Sequence, residues 1–211
     1  AKPYLKRGVI ILDAGCGTGG LTKKLAKYGR VKAVDIHPEA VRLARKRGIG
    51  ATKAPIESLP FKRNYFNVIF CIDVLYHKDV EPQKALKEFF RVLKPKGVVI
   101  VRVPAVAWLR TSHDKVVHTR ERYTKEKLTR EIAKAGLKVI EVSYIYFTLV
   151  PFILIGQTLE KIFSPKPASK IRKIPGILNV FLGKMLTFEY FLSKLVRMPL
   201  GNGLVALSQK P

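Results

Sequence analysis

Cysteine is nearly absent: 211 residues contain two, Cys16 and Cys71, and their spacing matches neither a zinc site nor a disulfide framework. This excludes a disulfide-stapled scaffold and a cysteine-based metal centre, so no metal is expected and a reducing, cytoplasmic setting is. Acidic side chains are scarce too, 15 against 40 Lys and Arg, which leaves a formal charge of +25. The basic excess runs through every part of the chain, so a detachable basic tail is excluded as its source. It suits an anionic neighbour, whether an acidic lipid surface, nucleic acid or an anionic small substrate. A Lys-rich surface of the kind common in thermophiles would produce it equally well. A clean membrane-spanning run is also lacking. No charge falls between Val142 and Leu159, but Pro151 interrupts that stretch and Ser143, Thr148, Gln157 and Thr158 dilute it. A buried strand running into a buried helix is expected there instead. No signal-peptide pattern precedes the first apolar segment at Val9. With 47% hydrophobic residues, a largely disordered chain is excluded.

What is present is alternation. Short apolar segments at 9–12, 31–34, 68–72 and 98–103 are separated by stretches with helical periodicity. Pro38 and Pro82 stand where helices open, Thr124 where one is capped, and Gly29, Gly48 and Gly136 where helices stop. Parallel neighbours need crossover helices, so this pattern predicts an α/β, Rossmann-like, doubly wound sheet with helices on both faces. Ligands of such sheets lie beyond the carboxyl ends of the strands. Residues 104–123 read as a charged loop, and 137–147 as a strand. Residues 148–199 are apolar and basic by turns and predict two or three amphipathic helices, a helical insertion or lid ahead of a last short strand at 203–207. The whole of 1–211 is expected to form one domain.

The chemistry sits in Leu12-Asp13-Ala14-Gly15-Cys16-Gly17-Thr18-Gly19-Gly20. As Gly15, Gly17, Gly20 this is the dinucleotide fingerprint; as Gly15, Gly17, Gly19 it is the pattern of adenosylmethionine enzymes. Both use bare main chain to approach a ligand, and both want an acid at the end of the second strand, here Asp35, for ribose hydroxyls. Asp13 partly breaks the tie, because a carboxylate at the loop's mouth would repel a pyrophosphate and favour a ligand bearing an ammonium and a sulfonium.

Taken with Val34-Asp35, Ile56-Glu57-Ser58-Leu59-Pro60-Phe61, Tyr65 to Ile69 and Phe89 to Gly97, that loop resembles the small-molecule type of class I S-adenosylmethionine-dependent methyltransferase, over about residues 9–145. The resemblance implies a seven-stranded sheet, mostly parallel with an antiparallel last strand, and S-adenosylmethionine as cofactor. It implies that Asp13 and the loop Gly15, Cys16, Gly17 and Gly19 hold the methionine end. Asp35 would bind ribose, Ile36 would pack on adenine, and Ile56 and Glu57 would line the adenine edge. Cys71 and Ile72 would lie beside the methionine moiety. Two positions depart from the family's pattern: Pro55, where many relatives carry an acid for the adenine amino group, and Asn67, where Asp is usual.

Methyl transfer is an in-line displacement, so a general base is required only when the nucleophile must lose a proton. His77, His113 and His118 are the candidates. The acceptor is expected to be a small or lipid-like molecule, with residues 148–199 covering it or resting on an anionic membrane surface. Nucleic acid is the weaker expectation, since Cys71-Ile72-Asp73-Val74 replaces an Asn-Pro-Pro-Tyr type of motif and no RNA-binding module is recognisable. A non-catalytic protein that binds the cofactor is the remaining alternative.

Overall fold

Side chains of β1 (Val9–Ala14), β4 (Phe66–Ile72) and β5 (Leu93–Pro104) are buried on both of their alternating faces, as happens when helices cover a sheet on each side. The computed structural model describes all residues except 1, 6, 7, 112, 113, 115–117, 164–175 and 194. In it these strands join β2 (Gly29–Asp35), β3 (Ala51–Lys53), β6 (Lys138–Ile145) and β7 (Gly203–Gln209) in a seven-stranded sheet of order β3-β2-β1-β4-β5-β7-β6. The first five strands are mutually parallel; β7 runs antiparallel to both β5 and β6. The strand order reverses between β1 and β4, and that switch point opens the sheet's carboxyl edge for a ligand.

Four helices connect the strands as crossovers: α1 (Gly20–Leu25), α2 (Pro38–Lys46), α3 (Pro82–Val92) and α4 (Lys125–Lys134). Period-two alternation sends Leu12, Ile69, Val99 and Val101 to one face with Leu86, Phe89, Leu128 and Ile132 of α3 and α4. Ile11, Val68, Phe70, Val98 and Ile100 pack on the other with Leu25. Pro38 and Pro82 each occupy the first turn of a helix, where the missing N–H costs nothing. The Thr124 hydroxyl accepts the Lys127 N–H as a cap. Gly48 and Gly136 end their helices with φ of 78° and 87°.

Gly29 is different from the expected left-handed helix stop. It is the first residue of β2, and a Cβ there would come within 2.3 Å of the Val9 carbonyl oxygen. Close approach of two parallel strands, and not a positive φ, excludes a side chain. The strand expected at 98–103 also begins earlier, at Leu93, which pairs with Phe66 ahead of a register shift before the ladder resumes at Val98.

Between β6 and β7 lie α5 (Val150–Phe163) and α6 (Gly176–Leu192). Glu189 of α6 is buried and fastens the pair: its carboxylate accepts the main-chain N–H groups of Phe147 (3.1 Å) and Thr148 (2.9 Å) and the Thr148 hydroxyl just ahead of α5. An acid at that end also complements the helix dipole. The expected burial of α5 is corrected, since Phe152, Ile155 and Leu159 are about half exposed. They share one face at i, i+3 and i+7, and no other described element covers it.

Candidate functional site

Beyond the carboxyl ends of β1 to β5 lies a cleft of about 750 Å³. Each strand contributes through the loop that follows it: Gly15 and Gly17 after β1, Asp35 to His37 after β2, Pro55 to Glu57 after β3, Ile72 to Val74 with His77, Asp79 and Val80 after β4, and His118 after β5. One-residue steps of a twisted parallel sheet converge these loops on a single crevice.

The glycine loop is held by the sheet itself. The N–H groups of Gly15 and Cys16 both donate to the Val34 carbonyl at 2.9 Å, which folds the loop over the end of β2. Asp35 completes the hold: one carboxylate oxygen accepts the Gly17 N–H at 2.8 Å and the other the His37 N–H at 2.9 Å. Each oxygen retains a second lone pair, and Asp35 lines the cleft. The three left-handed glycines do separate work. A Cβ on Gly15 would strike Val74 at 2.2 Å and one on Gly19 would strike Ile49 at 2.1 Å, so both serve packing. Around Gly17 a Cβ would meet no atom within 4 Å, and that open space belongs to the cleft.

This contrast yields a prediction. Gly17 has a φ of 52°, which an L-residue tolerates at a cost of about 1 kcal/mol. Gly17→Ala should therefore still fold, with Tm lowered by only about 2–8 °C, while binding S-adenosylmethionine at least about tenfold more weakly, since the methyl occupies ligand space. Parallel thermal melts and calorimetric titration check it; unchanged affinity would remove the loop from the binding surface.

Several expected positions are placed elsewhere. Asp13 does not open onto the cleft. It is 2% exposed, beneath the loop, and accepts the Thr22 hydroxyl at 2.6 Å. Burial pushes its carboxyl up to about 6, against the Thr22 hydrogen bond and with help from the Asp35 charge. The expectation of a charge at the loop's mouth is corrected accordingly: the acid sits one layer below, because β-strand alternation turns residue 13 towards α1. Cys16 faces the small cluster of Ala33, Val41, Ala44 and Ala51, and burial pushes its thiol up to about 12. Cys71 is wholly buried in the core and its thiol is likewise raised by burial. Neither side chain lines the cleft, so only the loop's main chain at Cys16 is at hand for a ligand. Ile36, half exposed, and Ile56, buried, form apolar walls with Ile72, and Glu57 accepts the Glu81 N–H at 3.0 Å at the start of α3. Asn67 is structural: its side-chain oxygen accepts the Ile10 N–H at 3.0 Å.

Of the histidines, His77 and His118 both line the cleft, and His113 lies outside the described residues. His77 Nε2 is 3.1 Å from the Asp73 carbonyl oxygen. A carbonyl only accepts, which puts the ring proton on Nε2 and leaves Nδ1 as the basic atom.

Asp73, Asp79 and His37 were not singled out from the sequence, although everything just past a parallel strand's end falls in the site. Asp73 has a φ of 60° and is paired with Arg102 of β5. Behind it is a polar hollow of about 190 Å³ shared by Tyr76, Arg102, Thr119, Arg122, Tyr146 and Asn202. Arg102 also donates to the Tyr146 hydroxyl at 2.8 Å, and the buried Thr119 hydroxyl has no hydrogen-bond partner among the described residues. Val106, His118 and Tyr146 also carry positive φ. Strained backbone of this kind gathers at binding sites.

In a chain of net charge +25 the described residues lining the cleft include four acids, Asp35, Glu57, Asp73 and Asp79, and no Lys or Arg. Bare main chain at Gly17, spare acceptors on Asp35, apolar walls and this acidic lining fit a cationic nucleoside such as S-adenosylmethionine. They are a poor match for a pyrophosphate.

Comparison with known proteins agrees. A family model described as a methyltransferase domain matches residues 12–101. The ubiquinone/menaquinone biosynthesis C-methyltransferase of Neisseria meningitidis serogroup C is 37% identical over 111 residues, 46% of this chain and 44% of that one. The chain thus spans less than half the length of this curated relative. A solved S-adenosylmethionine-dependent methyltransferase from Aquifex aeolicus is 28% identical with a TM-score of 0.56, over 68% of this chain and 80% of that one. The putative methyltransferase solved in complex with the Trm112 activator of Haloferax volcanii has a TM-score of 0.66 at 19% identity, over 100% of this chain and 88% of the matched chain. Residues 12–101 match a methyltransferase-domain family model, and the chain is similar to class I S-adenosylmethionine-dependent methyltransferases.

Proposed function

We propose that this protein transfers a methyl group from S-adenosylmethionine to a small, lipid-like acceptor. The observation that carries the cofactor half of the reading is the acidic, glycine-floored cleft within a strongly basic chain. When bound, S-adenosylmethionine supplies an electrophilic methyl group beside its sulfonium. The chain's own residues bind and align. Asp35 offers acceptors to a diol, Ile36 and Ile56 offer flat apolar contact to a base, and Glu57 offers a hydrogen-bond acceptor at its edge. Closing two reactants into one orientation is worth most of the rate in a displacement of this type.

The acceptor half rests on the far wall. Where the acceptor atom has to lose a proton, His77 Nδ1 is held to receive it by the fixed Nε2–H contact, and His118 faces the same space. The hollow behind Asp73 gives a place for the acceptor's polar end, with guanidinium and hydroxyl donors. A lipid-like body is favoured by α5, whose Gln157 side chain donates to the Trp108 and Arg110 carbonyls at 3.3 and 2.8 Å and so lays an apolar helix against that loop. The curated relative's name places it in ubiquinone/menaquinone biosynthesis, a lipid quinone pathway, which supports the same class.

Calorimetric titration with S-adenosylmethionine and with NAD, followed by incubation of the full chain with methyl-labelled cofactor and separate lipid, RNA and small-metabolite extracts, tests this. Micromolar cofactor binding, no NAD binding and label in the lipid fraction are expected. Label in RNA would overturn the acceptor class, and NAD binding would overturn the cofactor.

A further inference from the structure

Helix α6 is apolar over most of its circumference, with Lys184 and Thr187 as exposed polar positions. Leu182, Met185, Leu186 and Leu192 lie on the side of the buried Glu189, at most partly exposed. Val180, on the opposite side, and Phe181 and Phe188, on one flank, are each more than half exposed. A helix hydrophobic on most sides normally has cover on most sides. Adjoining it, α5 turns out Phe152, Ile155 and Leu159, and the turn after α6 turns out Leu195 (84% exposed) and Val196. So many large apolar side chains in one region exceed the scattered exposure usual on soluble proteins.

Three features identify what covers this face. Charge is the first: residues 148–199 carry eight Lys and Arg against two acids, and one of those acids, Glu189, is consumed inside the fold. The segment 164–175 that joins the two helices has Lys166, Lys170, Arg172 and Lys173 and no acid. Length is the second. At 1.5 Å per residue, the 14 residues of α5 and 17 of α6 make rods of about 21 and 26 Å, short of the ~30 Å hydrocarbon core. Among the described residues no helix is long and apolar enough to cross a membrane. The third is Trp108, 57% exposed in the 3-10 turn Ala107–Leu109 against which Gln157 holds α5. An amphipathic aromatic ring beside an apolar, basic-flanked helix pair is the arrangement of an interfacial anchor.

We infer that the outer face of α5 and α6, with Trp108 at its edge, is a docking surface for an anionic lipid bilayer, on which the helices lie in the plane of the headgroups without spanning it. The apolar side chains supply insertion and the Lys and Arg residues supply attraction to acidic lipid. Docking does not depend on the acceptor's identity; only its consequence, delivery of a lipid-borne acceptor to the cleft, rests on the function proposed above.

The test uses the full chain, its single tryptophan and vesicles of phosphatidylcholine with or without an equal part of phosphatidylglycerol. Co-sedimentation with the anionic vesicles is expected, with a blue shift of Trp108 emission and its quenching by lipids brominated near the headgroup. Part of the binding should survive about 0.5 M salt, which screens charge but not insertion. The variant Phe152→Glu/Ile155→Glu/Phe181→Glu/Phe188→Glu changes exposed positions only. It should lose vesicle binding by about tenfold or more while titrating with S-adenosylmethionine as the parent does, which keeps docking separate from the cofactor reading. Binding that vanishes in salt, leaves the tryptophan unshifted and is indifferent to the four substitutions would mean adsorption by charge alone and would overturn the proposal. So would a dimer in sedimentation analysis that the same substitutions dissolve while no vesicle binding is seen, because the face would then belong to a second copy.

Discussion

Asp13→Asn should make the apo protein more stable at neutral pH, by up to about 3 kcal/mol. The carboxyl is raised from an ordinary 3.8 to about 6, with burial the main cause, so the folded state holds this proton to higher pH than the unfolded chain does. Between those two values stability falls as pH rises, and above about 6 the full cost of a buried charge is present. A rise from 3.8 to about 6 corresponds to about 3 kcal/mol at 1.36 kcal/mol per pH unit. Asparagine reproduces the neutral form and keeps an acceptor for the Thr22 hydroxyl. In a chain of this size the gain is worth roughly 6–12 °C in Tm. Other groups also titrate, so the measurement is the difference between variant and parent melts from pH 4 to pH 8: near zero at the acid end, opening between pH 4 and about 6 and level above that. A variant no more stable at pH 8 than at pH 4, relative to the parent, would show that Asp13 is not carrying a buried charge. A cationic ligand above the loop would be favoured by that buried charge.

The sheet was readable from the chain because its rules are local. Apolar runs of strand length, helix-opening prolines and left-handed glycines at 48 and 136 are decided within a few residues, and the structure keeps each of them. Readings that depended on which way a side chain turns fared less well. Asp13, Cys16 and Cys71 stand at the expected places along the chain yet face the core: strand alternation turns Asp13 of β1 and Cys71 of β4 inward, and the direction of Cys16 depends on how the loop folds over its neighbour, here through the Val34 carbonyl. Gly29 misled for a related reason: its need is contact with Val9 on another strand, which no local pattern records. The burial expected for α5 failed because hydropathy states that a helix wants cover and not that the chain itself supplies it. Arg102, Thr119 and Arg122 came from segments that read only as strand edge and charged loop, and tertiary pairing alone brings them behind Asp73.

That pairing defines the other large effect. Arg122 and Asp114 form an ion pair at 2.9 Å with side chains 6% and 4% exposed. Arg122 also donates to the Ala105 carbonyl and the Asn202 side chain, and Asp114 accepts from the Thr111 N–H and hydroxyl. Burial works to raise the Asp114 carboxyl, but the bonds from Arg122 and Thr111 outweigh it and hold it below the usual range. Its contribution to stability is therefore complete above the ordinary carboxylate range and is lost as pH falls through the lowered value. Asp114→Ala leaves the guanidinium buried without its counter-charge, a change that typically costs about 3–5 kcal/mol. The paired replacement Asp114→Ala/Arg122→Met should recover a good part of that loss. The consequence for function is selective. The pair ties the loop carrying His118 and Thr119 to the start of β7, while the glycine loop and Asp35 hang from β1 and β2. In Asp114→Ala, assayed below its lowered Tm, affinity for S-adenosylmethionine should stay within about threefold of the parent while methyl transfer to the labelled lipid fraction falls by about tenfold or more, an effect of mispositioning and not of lost cofactor. Equal losses of binding and transfer would mean that the two halves of the cleft are one cooperative unit, and the division of labour drawn between them would have to be abandoned.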